Sequence, residues 1–484
     1  MIIKLLSGIT CLVLSFLLIP GLLQAQEKWD LQKCVTYALQ NNISVKQADL
    51  QARFAGLDYK QARLNTYPNI GFSTNLGVSS GRNQDPTNFD LITSTFLSHG
   101  YSLQAGVDLF NWFSKRNTVK ARSLSLQATI AGIEKAQNDV ALNVATAYLQ
   151  ILLSMEQVNI ARVQLSQTEQ QLENTRLQVD AGKLPELNAT QLEAQLATDS
   201  SAVITAKAAV TQTVLQMKAL LNLDAAAPFD VSTPPVETIP VESLADLQPE
   251  NVFSSAMIHL PQQKVNNLNL QAAQKNVLAA KGAMYPTLSL FGSLGSRYIN
   301  NGRELIGYNQ TPIPFIGKVD VNGMEYNVAP LAPTFNNQPI WNKQGYISQL
   351  DQNFQQSVGL NLSVPIFNNG VLRNNWQRSK LNVKQVELQI EQDAQTIKQD
   401  IYTAHNDAVA ALEKFNANQK SVAASDKAYD FAKKRYDMGL LSTYDLLNTQ
   451  NALATAKYNL LYAQYDYVFK IKLLEFYKGQ GLKL

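Results

Sequence analysis

The strongest constraint on this chain of 484 residues is that it repeats itself. The stretch Ala62 to Ile70 resembles Ala280 to Leu288, and Val107 to Asn111 resembles Val364 to Asn368. Gly182 and Gly439 occupy matching places further on. Pro68 and Pro286 are 218 positions apart, whereas Phe110 and Phe367, and again Gly182 and Gly439, are 257 apart. The second copy therefore carries 39 additional residues between Pro286 and Phe367, after which register is kept. An internal repeat outranks local signals, because missing one misassigns the whole fold.

Each copy contains two segments of strict alternation. Residues 70–78 place Ile70, Phe72, Thr74, Leu76 and Val78 opposite Gly71, Ser73, Asn75 and Gly77. Residues 101–109 set Tyr101, Leu103, Ala105, Val107 and Leu109 against Ser102, Gln104, Gly106 and Asp108. In the second copy Leu288, Leu290, Leu294 and Tyr298 oppose Thr287, Ser289, Ser293 and Arg297, and Val358, Leu360, Leu362, Val364 and Ile366 oppose Ser357, Gly359, Asn361 and Ser363. Period 2 predicts strands near 69–79, 101–110, 287–298 and 356–367, each with an apolar and a small, polar face. Tilted strands of about 9–11 residues span a bilayer, and apolar-out, polar-in is the pattern of a water-filled barrel. A soluble sandwich with one wet face is the alternative.

After each strand pair the period changes to seven. Val144, Ile151, Val158, Leu165, Leu172 and Val179 form one series, and Leu196, Val203, Val210 and Met217 a second. Trp376, Val383, Ile390 and Ile397, then Leu446, Leu453, Leu460, Tyr467 and Leu474, repeat the pattern. Such a seam needs a partner helix and a left-handed supercoil. The spacing predicts outgoing helices over 114–181 and 371–438, each roughly 100 Å long at ~1.5 Å per residue, reversing at Gly182 and Gly439 into shorter returning helices. Short helices at about 31–41, 43–66, 251–258 and 262–284 precede the strand pairs.

The expected organisation is an export signal over 1–25, a first repeat over 26–223, a proline-rich connector over 224–250, a second repeat over 251–475 and a tail over 476–484. Lys4, the apolar run to Leu23 and the small residue Ala25 support the signal, with an uncleaved anchor as the alternative. Beyond it no run of about 18 apolar residues suggests a spanning helix. Cys11 falls in the signal, so Cys34 remains without an intrachain disulfide partner.

Chemistry has few places to reside. With 41 Lys and Arg against 38 Asp and Glu, the net charge of +3 gives no footprint for nucleic acid. His99, His259 and His405 lie far apart without metal-ligand spacing. No phosphate-binding glycine loop or nucleophile motif stands out, so no cofactor and no enzymatic activity are expected.

Four strands cannot close a barrel alone, because an open edge in lipid leaves backbone groups unpaired. Three copies would supply twelve strands. Two would supply eight, a barrel whose interior side chains fill, and the small polar faces favour the larger assembly. Two rivals remain at this level: a structural coiled-coil protein of the envelope, and a single-chain porin, which needs at least eight strands.

The sequence resembles the TolC family of outer-membrane efflux and secretion channels over essentially all of the chain after the signal. The resemblance is carried by Trp29 to Asn42, the two Tyr-Pro entries into strands, Val364 to Gly370 and Tyr436 to Gln450. It implies a mostly α protein with a β-barrel part: a homotrimer with four strands per protomer in a shared twelve-stranded barrel in the outer membrane, continuing as a coiled-coil α-barrel across the periplasm. It also implies a periplasmic adaptor and an inner-membrane pump as partners, for efflux or type I protein secretion. The turns at Gly182, Lys183 and Leu184 and at Gly439, Leu440 and Leu441 would meet the adaptor. Acidic residues line the closed tip in the family, and Asp445 matches such a position. Asn448 and Asn188 stand where acids can occur, Tyr436 matches a latch tyrosine, and Leu441 stands where a latch arginine can occur. These differences imply a more amide-based closure. The insertion over 299–350, rich in Asn, Gly and Pro, is expected to be a long external loop that partly caps the mouth.

Overall fold

The computed structural model describes residues 28–84, 90–233 and 242–479. The expected signal, Pro234, Pro235 and Pro240 of the connector, and residues 480–484 of the tail lie outside that range. The elements run α1 (Leu31–Asn41), α2 (Ile43–Leu64), β1 (Asn69–Gln84), β2 (Leu91–Phe110), α3 (Ser114–Asp180), α4 (Glu186–Leu221), α5 (Pro249–His259), α6 (Pro261–Gly282), β3 (Thr287–Ile299), β4 (Arg303–Pro312), β5 (Gly317–Val321), β6 (Met324–Val328), β7 (Phe335–Lys343), α7 (Tyr346–Gln352), β8 (Gln355–Ser363), α8 (Val371–Asp437) and α9 (Thr443–Lys478). α1 to α4 have 11, 22, 67 and 36 residues, and α5, α6, α8 and α9 have the same four lengths in the same order. The chain divides into a helical unit (residues up to 57, 123–272 and 383 onward) and a strand-bearing unit (58–122 and 273–382).

In the strand-bearing unit β1, β2, β3 and β8 form one antiparallel sheet in that order. Register places the alternating residues together: Phe72 faces Leu103, Leu103 faces Leu294, and Leu290 faces Leu360. The other face carries Ser73, Ser102 and Gly295 in one rung. β1 and β8 are the outer strands, and each has one edge unpaired among the described residues. β8 stops at Ser363, short of the expected end near Phe367, because Pro365 has no N–H to give the ladder and restricts Val364 before it.

The insertion, expected as a long loop, carries secondary structure of its own. It folds into two hairpins, β4–β7 and β5–β6, followed by α7. Asn322 and Gly323 take φ of 53° and 83°, the paired positive values of a type I′ hairpin turn. Pro339 is tolerated in β7 because a two-stranded sheet is all edge. The neck is held by Gln349, which donates to the Ile299 carbonyl at 2.9 Å and accepts from the Ile299 N–H at 3.0 Å.

The helical unit has its largest core around α1, α3 and α4. Leu31, Cys34 and Ala38 bury one stripe of α1 against Val144, Tyr148, Ile151 and Met217. Asp30 caps α1 by accepting from the Lys33 N–H at 2.7 Å. Trp29 pairs with the connector, donating to the Asp230 carbonyl and accepting from the Ser232 N–H, both at 2.9 Å. The Trp-Asp-Leu start is thus a cap flanked by a strand-like strap. A second core joins α5, α8 and α9 through Val252, Ala256, Ile401, Ala404, Ala408 and Leu474.

Candidate gate at the two helix reversals

The long helices end as the glycines demand. At Gly182, φ +68°, the glycine N–H donates to Val179 and the Lys183 N–H to Gln178, both at 2.8 Å. At Gly439, φ +73°, the glycine donates to Tyr436 and Leu440 to Arg435, again both at 2.8 Å. Each is a Schellman reversal, in which a left-handed residue lets two N–H groups return to the last carbonyls. Lys183 and Leu440 are exposed, Leu184 is half-buried, and Leu441 packs partly against Ala432, Tyr436 and Leu446.

The returning helices start differently. α9 is capped by Ser442, whose Oγ accepts from the Asp445 N–H at 3.1 Å and donates to Asp445 Oδ2 at 2.7 Å. The Asp445 carboxylate therefore sits in the first turn of α9, where the helix dipole favours negative charge, and remains exposed. α4 follows Pro185, which offers no side-chain cap, and Asn188 takes the corresponding place, half-buried. Asn448 lies exposed three residues beyond Asp445. Among the described residues no hydrogen bond joins Asp445, Asn448 and Asn188.

Tyr436 is enclosed. It is 2% exposed, and its hydroxyl lies 2.9 Å from Thr175 Oγ1 and 3.3 Å from Thr443 Oγ1. One phenol thereby ties α3 to α8 and α9. A turn or two away Thr168 donates to Asp199 Oδ2 at 2.6 Å, Gln195 donates to Asp199 Oδ1 at 2.8 Å, and Gln450 donates to Thr168 at 3.1 Å. Asp199 is buried and belongs to no ion pair among the described residues. The two helical hairpins are thus joined by apolar contacts (Leu172, Ala189, Leu192 and Leu447) interleaved with hydrogen-bonded polar layers.

Sequence reasoning missed Thr168, Thr175, Asp199 and Gln450. The signal was available: Thr168 and Thr175 each follow a seam leucine, Leu165 and Leu172, by three places, which is the second buried position of a heptad. Polar side chains there fix register at some cost in stability.

The sheet presents a different surface. Its apolar face is solvent-exposed in the single chain, with Ile70, Leu76 and Leu362 each more than 60% accessible and Val358 80%. Aromatic clusters bound it. Phe110, Trp112, Phe113 and Tyr285 gather at one end, and Tyr101, Tyr298 and Tyr346, with His99, at the other. Ten residues of β3 separate Leu288 from Tyr298, which at ~3.3 Å each and a ~40° tilt is about 25 Å, the height of a barrel's lipid band. No described helix is long and apolar enough to cross a membrane.

Comparison with known proteins places these features. The family model for outer membrane efflux protein matches residues 35–223 and 253–475. The probable outer membrane lipoprotein SilC of Salmonella typhimurium is 23% identical over 263 residues, 54% of either chain. Toxin and drug export protein A of Aggregatibacter actinomycetemcomitans is 23% identical over 58% of this chain and 59% of its own. The chain spans about half the length of the curated relatives it matches. Its fold matches the crystal structure of CusC with a TM-score of 0.73 at 18% identity, over 93% of this chain and 92% of that one. It matches the CmeC outer membrane channel of Campylobacter jejuni with a TM-score of 0.71 at 19% identity, over 94% and 86%.

Proposed function

Because this chain belongs to the outer membrane efflux protein family, we propose that it is one protomer of a homotrimeric outer-membrane exit duct for efflux or secretion. The observation that supports this best is the four-stranded sheet, with two unpaired edges and an exposed apolar face bounded by aromatic clusters. An edge in lipid leaves N–H and C=O groups unsatisfied at several kcal/mol each. Pairing β1 with β8 of another copy removes the edges, and three copies make a twelve-stranded barrel wide enough to conduct.

Residues 1–25 direct export in this reading, and the repeats of 67- and 36-residue helices form a periplasmic α-barrel. The protein conducts and performs no chemistry; energy comes from an inner-membrane pump joined through a periplasmic adaptor. The adaptor meets the reversals at Gly182, Lys183, Leu184, Gly439, Leu440 and Leu441. Closure rests on Tyr436 and on the amides Asn188 and Asn448, while three copies of Asp445 form a cation-attracting ring. The mass of the mature protein extracted in mild detergent tests the assembly. A value near three chain masses is expected, and a folded, membrane-bound monomer would refute it.

A further inference from the structure

The small, polar face of the sheet is almost without free charge. The four strands carry three formal charges, Arg82, Asp108 and Arg297. Arg82 shares the register parity of the apolar face, since it lies an even number of places from Ile70 and Phe72 along β1. Asp108 lies on the polar face but is neutralised there: its carboxylate accepts from Lys115 Nζ and from Ser289 Oγ, each at 2.8 Å. Arg297 remains. It pairs with Gly100, which pairs with Asn75, so one rung runs Asn75, Gly100, Arg297 across β1, β2 and β3.

That rung fixes the direction of the guanidinium. Paired residues project to the same side of a sheet. The side belongs to Ser293 and Gly295 on β3 and to Ser102 and Gln104 on β2. Gly100 puts no side chain beside it, and the Asn75 amide leans into that space, its Oδ1 2.6 Å from where a Cβ at Gly100 would stand. Arg297 is exposed and has no ion pair among the described residues. Its position is held from behind, because Asn353 donates to the Arg297 carbonyl at 2.8 Å and Ser296 to the Leu350 carbonyl at 2.6 Å, anchoring this end of β3 to the segment that leads into β8.

From this geometry we infer that Arg297 sets the charge preference of the barrel lumen: in the closed barrel its copies form a ring of guanidinium groups that attracts small anions and anionic cargo and repels cations. The inference rests on the trimeric channel reading, which turns the polar face into a lumen. Apart from Asp108, which Lys115 neutralises, the other lumen groups of the strands are hydroxyls, amides, glycines and the apolar Ile92, Phe96, Phe291 and Ile299, none of which carries a charge to offset it.

Planar bilayers under a KCl gradient test it on the full-length trimer, with Arg297→Gln, Arg297→Glu and Arg297→Lys. Three unit charges acting across about one Debye length at 0.1 M salt change the local concentration of each ion by about twofold, in opposite directions for cation and anion. The K⁺ to Cl⁻ permeability ratio is therefore expected to rise about fourfold in Arg297→Gln, further in Arg297→Glu, and to stay at the native value in Arg297→Lys. The differences should vanish near 1 M salt, where the Debye length is about 3 Å. Native permeability ratios in both the Gln and Glu variants, with conductance intact, would overturn the assignment. A native protein that gives no conductance would overturn the channel reading itself. Should the Glu variant fail to assemble, the neutral Gln variant decides.

Discussion

Replacing Tyr436 by Phe keeps the buried ring and removes only the hydroxyl that touches α3 and α9. Two contacts are lost, one of normal length to Thr175 (2.9 Å) and one long to Thr443 (3.3 Å). The long one contributes little. The first matters more, because Thr175 is completely buried and its hydroxyl loses a partner that water cannot replace. Thr175 can turn toward the carbonyl one helical turn back, which sets the lower bound of the penalty; an orphaned hydroxyl sets the upper. The cost is about 1–2 kcal/mol per protomer. That corresponds to about 5- to 30-fold in the equilibrium holding the first hairpin to the second. Open probability in planar bilayers should rise by that factor per protomer, and amide exchange around Thr175 should accelerate in parallel. Thr175→Val should act similarly. The double variant should lose clearly less than the sum of the two, since removing both polar partners leaves nothing unsatisfied. Gating within twofold of the native protein in Tyr436→Phe, with amide exchange unchanged, would refute the idea that this hydroxyl holds the hairpins together.

Two further outcomes follow from buried groups in the helical unit. Lys472 and Glu475 form an ion pair at 2.8 Å with both side chains under 10% exposed, and Glu475 also accepts from the Glu242 N–H; Lys472→Met strands the carboxylate and should cost about 3–5 kcal/mol, read as a fall in melting temperature. Burial pushes the Cys34 thiol up to about 12, with Asp30 adding to the effect, so the neutral form is favoured in the folded protein. The thiol should resist alkylation at pH 8 and react once unfolded. The associated stability is complete below the ordinary thiol range and is lost as pH rises through it toward 12.

Much of this was legible in sequence, for reasons that differ by element. The long helices begin at Ser114 and Val371 and reverse at Gly182 and Gly439 as expected, because heptads and left-handed glycines are local signals. The sheet strands were legible because pleating writes period 2 into Ile70 to Val78 and its counterparts. The hairpins inside the insertion went unread although a short-range signal was there, Asn322-Gly323 between alternating Val319, Val321, Met324 and Tyr326. The buried threonines could be read from their heptad positions but their partners could not: Thr175 and Tyr436 are 261 positions apart, and a threonine in a heptad does not name its partner. Asp445 stands in the first turn of α9, six places after Gly439. Its bond to Ser442 was available in the sequence, since a serine three residues before an acid is a capping signature.

The unpaired edges of β1 and β8 also have a genetic meaning. A protomer damaged only along one edge strand folds its helices normally and still offers its sound edge to a neighbour. In the proposed trimer it would enter assemblies and leave a seam open in each. In a cell expressing equal amounts of intact and edge-damaged chains, roughly one such trimer in eight would contain intact chains alone. Lesions in β1 or β8 should therefore behave as dominant, whereas lesions that unfold the chain before it can pair should behave as recessive.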